Sequence, residues 1–203
     1  MHKIEKTLIA IKPEAIQMGL IGEFITKFEK RGLKLVAAKL IVPTKEQIEK
    51  HYPDDEAWYI SSGTNTYNNY KEKGIDPGMT PIELAKRTRK LLIEHLTDRP
   101  LLLMIWEGAH AIALGRKTAG STNPLTADIG SIRGDYSLDS YELSDSIERA
   151  LLTLVHASGS AGEAEREIKL WFDNNEIHDY ELINESVFYT KDWGKIKKSS
   201  TRN

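Results

Sequence analysis

His156 and Glu167 are the first residues whose types and spacing could do chemistry. His156 follows the apolar run Leu151 to Val155, and Glu167 lies three residues after Ala164 and four before Trp171 in a segment of helical period. That spacing turns a carboxylate toward the inside of a helix that otherwise presents Ala164, Ile168 and Trp171. A buried, unpaired carboxylate is costly, so Glu167 either meets a donor or sits at the rim of a rotated helix. The histidine just upstream is a natural donor. With a carboxylate on its N–H, the other ring nitrogen of a neutral imidazole is free to attack an electrophile, and an ordinary pKa near ~6.5 leaves the ring largely neutral at physiological pH. The local string His156-Ala157-Ser158-Gly159-Ser160 suits a purely structural histidine equally well. His2, His95, His110 and His178 make no metal-ligand spacing with one another, and the acidic runs at Asp54 to Glu56 and Asp139 to Asp145 read as solvated faces. No protein metal site is expected.

The elements that must position this pair are marked by period and punctuation. Thr7 to Ile11 is a short apolar run before Lys12-Pro13, a buried strand with Lys12 at its end. Ile21, Phe24, Ile25 and Phe28 recur at helical spacing, with Gly32 beyond them as the stop, and Leu33 to Val42 reads as a second strand. Thr44 and Gln47 form a capping box that opens a short helix toward His51-Tyr52. From Pro53 to Gly78 no period is visible, and the segment reads as a surface excursion. Thr80-Pro81-Ile82-Glu83 opens a helix with Ile82, Ala85, Leu92 and Leu96 as its apolar face. Leu101 to Trp106 reads as a third strand, followed by a helix over about 110–119 that Gly120 stops. The loop from Ser121 runs on through Arg133, Ser137 to Arg149 is polar and acidic, and Leu151 to Val155 forms a fourth strand ending at His156. Ser160 and Glu163 form the capping box of the last helix. These strand–helix units predict an α+β sandwich with helices covering one face of a mainly antiparallel sheet, and their order leaves the strand pairing open.

Composition bounds the partners. The chain has 203 residues, 40% hydrophobic, and its 28 basic and 30 acidic side chains give a formal net charge of −2. That balance lacks the broad positive field which duplex nucleic acid attracts, and the tail from Lys195 to Arg202, the feature in favour of such a partner, reads as a solvated or disordered end. Cysteine is absent, which removes disulfide and thiolate chemistry and suits a reducing cytoplasm. No run is long and apolar enough for a signal peptide or a membrane span. The expectation is a cytoplasmic protein without nucleic-acid or membrane partners.

Seven segments in order carry a wider resemblance. They are Thr7 to Glu14, His51-Tyr52, Trp106-Glu107-Gly108, Gly115-Arg116, Thr122-Asn123-Pro124, Ile132-Arg133-Gly134-Asp135, and His156 to Phe172. Together they resemble the nucleoside diphosphate kinase family over roughly residues 6–52, 99–135 and 150–189. The resemblance implies a ferredoxin-like sandwich with a four-stranded antiparallel sheet and covering helices. It also implies a single domain over 1–203, with insertions at about 53–98 and 136–149 and a flexible tail over 193–203. In function it implies ping-pong transfer of the γ-phosphate of a nucleoside triphosphate, mainly ATP, to a nucleoside diphosphate through phosphohistidine, with Mg²⁺ carried on the nucleotide, and a homo-oligomer.

Position by position, the resemblance makes His156 the nucleophile with Glu167 behind it, and places Lys12, Tyr52, Arg116, Thr122, Arg133 and Thr153 around the phosphates. Phosphoryl transfer needs such a set, because it asks for positioning and for fixed cations and donors where negative charge sits. Lys12 offers a point charge, and the two arginines offer planar forks. The base would be held by stacking, with broad base and sugar tolerance. Two positions depart from the family: Thr153 stands where an asparagine is usual, and Gly159 where an aspartate is usual. The aromatic that stacks on the base is displaced by the first insertion, and Trp58 and Tyr59 are the candidates to replace it. These departures motivate the alternative of a kinase-like nucleotide-binding or interaction protein with weak or no turnover.

Overall fold

The structure is a computed structural model and describes residues 4–72 and 74–194. Strand β1 (Ile4–Ile11) leads to helices α1 (Pro13–Gln17) and α2 (Ile21–Glu29), and β2 (Lys34–Ile41) to α3 (Lys45–His51), α4 (Glu56–Glu72) and α5 (Pro81–Leu96). Strand β3 (Leu101–Ala109) is followed by α6 (Ala111–Ala119), α7 (Ile132–Tyr136) and α8 (Tyr141–Ser146). Strand β4 (Val155–Ala157) leads to α9 (Ala161–Trp171), with α10 (Glu185–Tyr189) after it. The four strands form one sheet in the order β2-β3-β1-β4, and every neighbouring pair is antiparallel. This is the α+β, ferredoxin-like sandwich that was expected. Among the described residues no helix is long and apolar enough to cross a membrane.

Helices cover both faces of the sheet, not one. Ile9, Ile11, Met104 and Trp106 pack with Phe24 and Phe28 of α2 on one side, while Leu8, Ala10, Leu103 and Ile105 pack with Ile48, Ile93, Leu96 and Trp171 on the other. The signal was present in the unbroken apolar runs of β1 and β3, since a strand with one wet face alternates and a strand buried on both faces does not. Thr44 and Thr80 cap α3 and α5 with reciprocal capping boxes, as their sequences predict. The box at Ser160 is half formed: its hydroxyl accepts from the Glu163 N–H, whereas the Glu163 carboxylate takes the N–H of Gly159. On α5 the buried face is Leu84, Ala85, Ile93 and Leu96, and Ile82 is exposed.

Three stretches depart from the sequence reading. Residues 56–72 are not an irregular excursion but the 17-residue helix α4. Its apolar residues do not gather on one stripe because it leans mainly on α5, so the period that identifies most helices is weak. Gly63 makes that approach close: a Cβ there would lie 1.9 Å from the Pro81 carbonyl oxygen. The expected loop from 121 to 133 holds a 3-10 turn at Pro124–Thr126 and the start of α7. Leu151 to Leu154 lie outside the fourth strand, which covers only Val155–Ala157, so His156 sits at its centre, paired with Ala10. The chain turns just before it, with Leu154 at φ 62° and the Val155 N–H donating to the Thr153 carbonyl at 2.7 Å. Glu14 accepts from the Leu154 N–H at 3.0 Å, and the Lys12 N–H donates to the Leu154 carbonyl at 2.9 Å, so the start of α1 holds this left-handed turn in place. The expected tail over 193–203 lies largely outside the described residues.

Candidate active site

Pairing of β4 with β1 sets His156 on the sheet, and the Ser160-capped helix α9 brings Glu167 up to it. The His156 Nε2 atom lies 3.1 and 3.0 Å from the two carboxylate oxygens of Glu167. Burial alone would raise the pKa of Glu167, but the His156 ring, His51 and the Ser158 hydroxyl together lower it to about 2. The carboxylate is therefore ionised, the Nε2–H donates to it, and Nδ1 is left as the lone-pair nitrogen. Ser158, fully buried, donates from Oγ to Glu167 Oε2 at 2.7 Å and fixes the carboxylate's second side.

His51, from the end of α3, packs edge-on against His156 with ring centroids 4.6 Å apart. Its Nδ1 accepts the Trp171 indole N–H at 3.2 Å, and burial, with help from His156, presses its pKa down to about 3, so it stays neutral. The donor atoms of His51, His156 and Glu167 lie within 4.8 Å of one another. They are already engaged by Trp171, by Ser158 and by each other, so the cluster reads as a hydrogen-bonded unit rather than a cation site.

The cationic and hydroxyl residues expected around the phosphates come together here. Lys12, Tyr52, Arg116, Thr122, Arg133 and Thr153 line one cleft with His156, and the cleft holds about 1100 Å³ of free space up to its open mouth. Lys12 is buried and donates from Nζ to Thr153 Oγ1 at 2.7 Å; burial lowers its pKa to about 8, against an upward pull from Glu14. Arg133 is almost wholly buried and spends three N–H groups on the carbonyls of Thr153, Val155 and Gly120, at 3.0, 2.6 and 2.6 Å. Burial and the nearby Arg116 lower its pKa to about 10, which still leaves it charged at neutral pH. Arg116 and Thr122 are exposed at the mouth. Burial raises the Tyr52 phenol, which therefore remains a protonated donor. Of the two candidate stacking residues, Trp58 lines the cleft beside Tyr52 with ring centroids 6.0 Å apart, whereas Tyr59 turns away, donates to Asp54 and lies under Lys86.

A profile of the nucleoside diphosphate kinase family matches residues 5–64 and 84–177. The chain belongs to the nucleoside diphosphate kinase family. It is 42% identical over 179 residues to the nucleoside diphosphate kinase of Pyrobaculum aerophilum, covering 86% of this chain and 98% of that one. It is also 42% identical over 187 residues to the enzyme of Pyrococcus abyssi, covering 92% and 95%. The fold matches the crystal structure of an NDP kinase from P. aerophilum with a TM-score of 0.80 at 41% identity over 87% of this chain and all of that one. It also matches a nucleoside diphosphate kinase from Borrelia burgdorferi, described as a transition state mimic with bound vanadate and ADP, with a TM-score of 0.74 at 30% identity over 91% and 96%. Membership makes this chain a phosphotransferase of nucleotide metabolism.

Several residues of this kinase-family site escaped the sequence reading. In the sequence His51 stands in the His-Tyr segment without chemistry of its own, and Ser158 shows no partner. Glu14 ties the turn before β4 to α5, because its other oxygen lies 2.9 Å from His95 Nε2. The far end of the cleft, lined by Tyr70, Arg87, Tyr141 and Asp145 among others, carries no signal in the sequence; Arg87, Tyr141 and Asp145 fall within the stretch 84–177 that the family profile matches, so only residues 65–83, with Tyr70, interrupt the match. Gly159 donates its N–H to Glu163 at 2.6 Å, and a Cβ there would meet that same carboxylate oxygen, so glycine suits the tight entry to α9.

Proposed function

We propose that the protein transfers the γ-phosphoryl group of a nucleoside triphosphate, mainly ATP, to a nucleoside diphosphate by a ping-pong route through phosphohistidine at His156. The observation that carries this is the Glu167 carboxylate on Nε2 of His156, which leaves Nδ1 as the nucleophile facing the cleft. In the first half-reaction the Nδ1 lone pair forms a bond to the γ-phosphorus as the bond to the β,γ-bridging oxygen breaks, and the diphosphate leaves. In the second, a terminal oxygen of the acceptor diphosphate attacks the same phosphorus and the P–N bond breaks. Lys12 and Arg116 offset phosphate charge, Thr122, Thr153 and Tyr52 supply neutral donors, and Trp58 offers a face for the base. Arg133 serves twice in this reading, holding the turn that carries Thr153 and lending its remaining N–H groups to the phosphates. The vanadate and ADP of the B. burgdorferi relative support a nucleoside diphosphate and a phosphoryl group in one cleft.

The phosphate end of the cleft presents cations and hydroxyls, while its Glu163 is turned onto the entry of α9, so Mg²⁺ would be held by the nucleotide's own phosphate oxygens. When bound, it would neutralise phosphate charge. We assign the protein to the cytoplasm from its cysteine-free composition, and infer a homo-oligomer from the exposed edge strand β2. Incubation with Mg-ATP is expected to give acid-labile phosphate on His156, and His156→Ala to abolish both adduct and exchange. Wild-type protein that forms no adduct and exchanges no phosphate between ATP and a diphosphate would end this proposal.

A further inference from the structure

Leu154, with its φ on the left-handed side, stands between two residues that the transfer needs. Thr153 before it accepts from the Lys12 ammonium, and His156 two residues on carries Nδ1. A leucine in this conformation persists only where its surroundings over-determine it. Asp139 accepts from the Leu152 N–H at 2.7 Å, the Ser137 hydroxyl donates to the Leu152 carbonyl at 3.1 Å, and Arg133 donates to the carbonyls of Thr153 and Val155 on either side of Leu154. The N–H of Leu154 itself goes to Glu14 Oε1. The Glu14 side chain is 9% exposed and lies outside the cleft lining, so it acts on the reaction only through what it holds. Burial pushes its carboxyl up, but the bond from His95 and the charge of Lys12 outweigh that and keep it below the ordinary carboxylate range. The ionised group accepts a second time, on Oε2, from His95 Nε2–H at 2.9 Å. Arg99 can only donate, and its Nη1 lies 3.1 Å from both His95 Nδ1 and the His95 carbonyl, so the ring is held with its N–H toward Glu14.

We propose that Glu14 is a positioning residue for phosphoryl transfer, holding Leu154 in its left-handed turn, and that His95 with Arg99 locks Glu14 in place from the last turn of α5. The inference rests on the reading of His156 as the phosphorylated residue. Without the Glu14 bond the Leu154 N–H loses its partner, and φ relaxes toward the negative values that a leucine prefers. That rotation turns Thr153 and His156 relative to each other. It draws the Thr153 hydroxyl away from Lys12 and tilts Nδ1 off the line to the γ-phosphorus, where a misplacement of about 1 Å costs about 10²-fold in rate. Arg116, Thr122, Tyr52 and Trp58 are carried by other elements, so the ground-state hold on a nucleotide changes far less than the rate.

The test uses the full chain, well below the melting point of each variant. Rapid-quench single-turnover phosphorylation at saturating Mg-ATP reads the rate, and calorimetry with ADP reads binding. Glu14→Leu is expected to slow phosphorylation by about 100-fold and His95→Leu by about tenfold, with ADP affinity within about threefold of wild type. His95→Gln keeps a donor at the reach of Nε2 and should bring the rate back to within about threefold of wild type, a rescue that lost packing alone would not show. The two His95 variants carry the test if Glu14→Leu does not fold. Rates unchanged in both leucine variants, an ADP affinity that falls as far as the rate, or a His95→Gln rate as low as that of His95→Leu overturns the positioning role and leaves the phosphohistidine reading intact. Wild-type protein that forms no adduct overturns that reading and this one with it.

Discussion

The hydrogen bond between His156 and Glu167 has a direction, and the direction has consequences. With its pKa lowered to about 2, Glu167 is charged at every working pH, holds the Nε2–H and steadies positive charge on the ring when the P–N bond forms or breaks. Glu167→Gln keeps an acceptor of the same shape without the charge, and transfer should fall by about 10- to 100-fold, the usual cost of losing a group that orients a functional histidine. Single-turnover phosphorylation measures this, and an unchanged rate would show that the carboxylate only fills space. Lys12 gives a second prediction, with two opposed pH trends. Its folded pKa, about 8, lies below the ordinary 10.5, so between those values the unfolded chain binds a proton that the folded one has released. Stability from this group therefore rises with pH across that window, while its attraction for phosphate falls. The kcat/KM for the triphosphate, which reports the free enzyme, should decline above about pH 8, and Lys12→Met should lack that limb of the profile. Of this site the sequence makes Glu167 legible through helical spacing, and the cationic set through resemblance. The choice of Nδ1, the edge-on packing of His51 and the Ser158 contact depend on β1–β4 register and on rotamers set by distant packing, which spacing along one chain does not encode.

Elements differ in how openly their sequences announce them, and the difference follows from what each one packs against. The strands β1 and β3 and helices α2, α5 and α9 bury faces in the main core, so their apolar residues fall at the strand or helix period. Helix α4 packs chiefly on its neighbour α5, so its period is weak and it reads as loop. The three-residue β4 is too short for any period, and the leucine-rich Leu151 to Leu154 before it, half-buried at Leu151 and Leu152 and buried at Thr153 and Leu154, form a turn that mimics a strand in composition alone. Gly63 exposes the logic of the α4–α5 pair. A methyl group there would collide with backbone at Pro81, which cannot swing aside as a side-chain tip could. Gly63→Ala should force the helices apart at a cost of roughly 1–3 kcal/mol, seen as a melting point lower by about 2–4 °C per kcal/mol. Because Trp58 and Arg87 ride on these two helices, KM for nucleotides should rise as well. Ser62→Ala, one residue away, is the control; a similar loss there would mean that the approach at Gly63 is not the cause.

At the scale of the whole molecule the two edges of the sheet have different fates. Strand β4, carrying His156, forms one edge, where Arg133 and Arg116 donate to the carbonyls of Val155 and Ala157, whereas β2 forms the other. The C-terminal segment shields one part of β2, with the His178 N–H donating to the Val36 carbonyl and the Tyr180 hydroxyl to the Leu35 carbonyl. Beyond it, Ala38 and Leu40 of the strand and Val42 just past its end alternate and all are exposed, Leu40 by 61% and Val42 by 62%. An uncovered edge with apolar side chains templates pairing, and two copies meeting antiparallel along β2 satisfy a two-fold axis, the commonest symmetry of homo-oligomers. The double variant Leu40→Glu, Val42→Glu sets like charges across that axis, so sedimentation velocity should move from an oligomer toward the 23.0 kDa chain. Wild-type protein that already sediments at the mass of one chain would remove the homo-oligomer from the proposal. Since β2 and β4 lie at opposite edges, separating the subunits along β2 leaves the His156–Glu167 pair and its cleft untouched. The separated chain should therefore still take phosphate from ATP while melting at a lower temperature, and a loss of phosphorylation on separation would mean that a neighbouring copy completes the site.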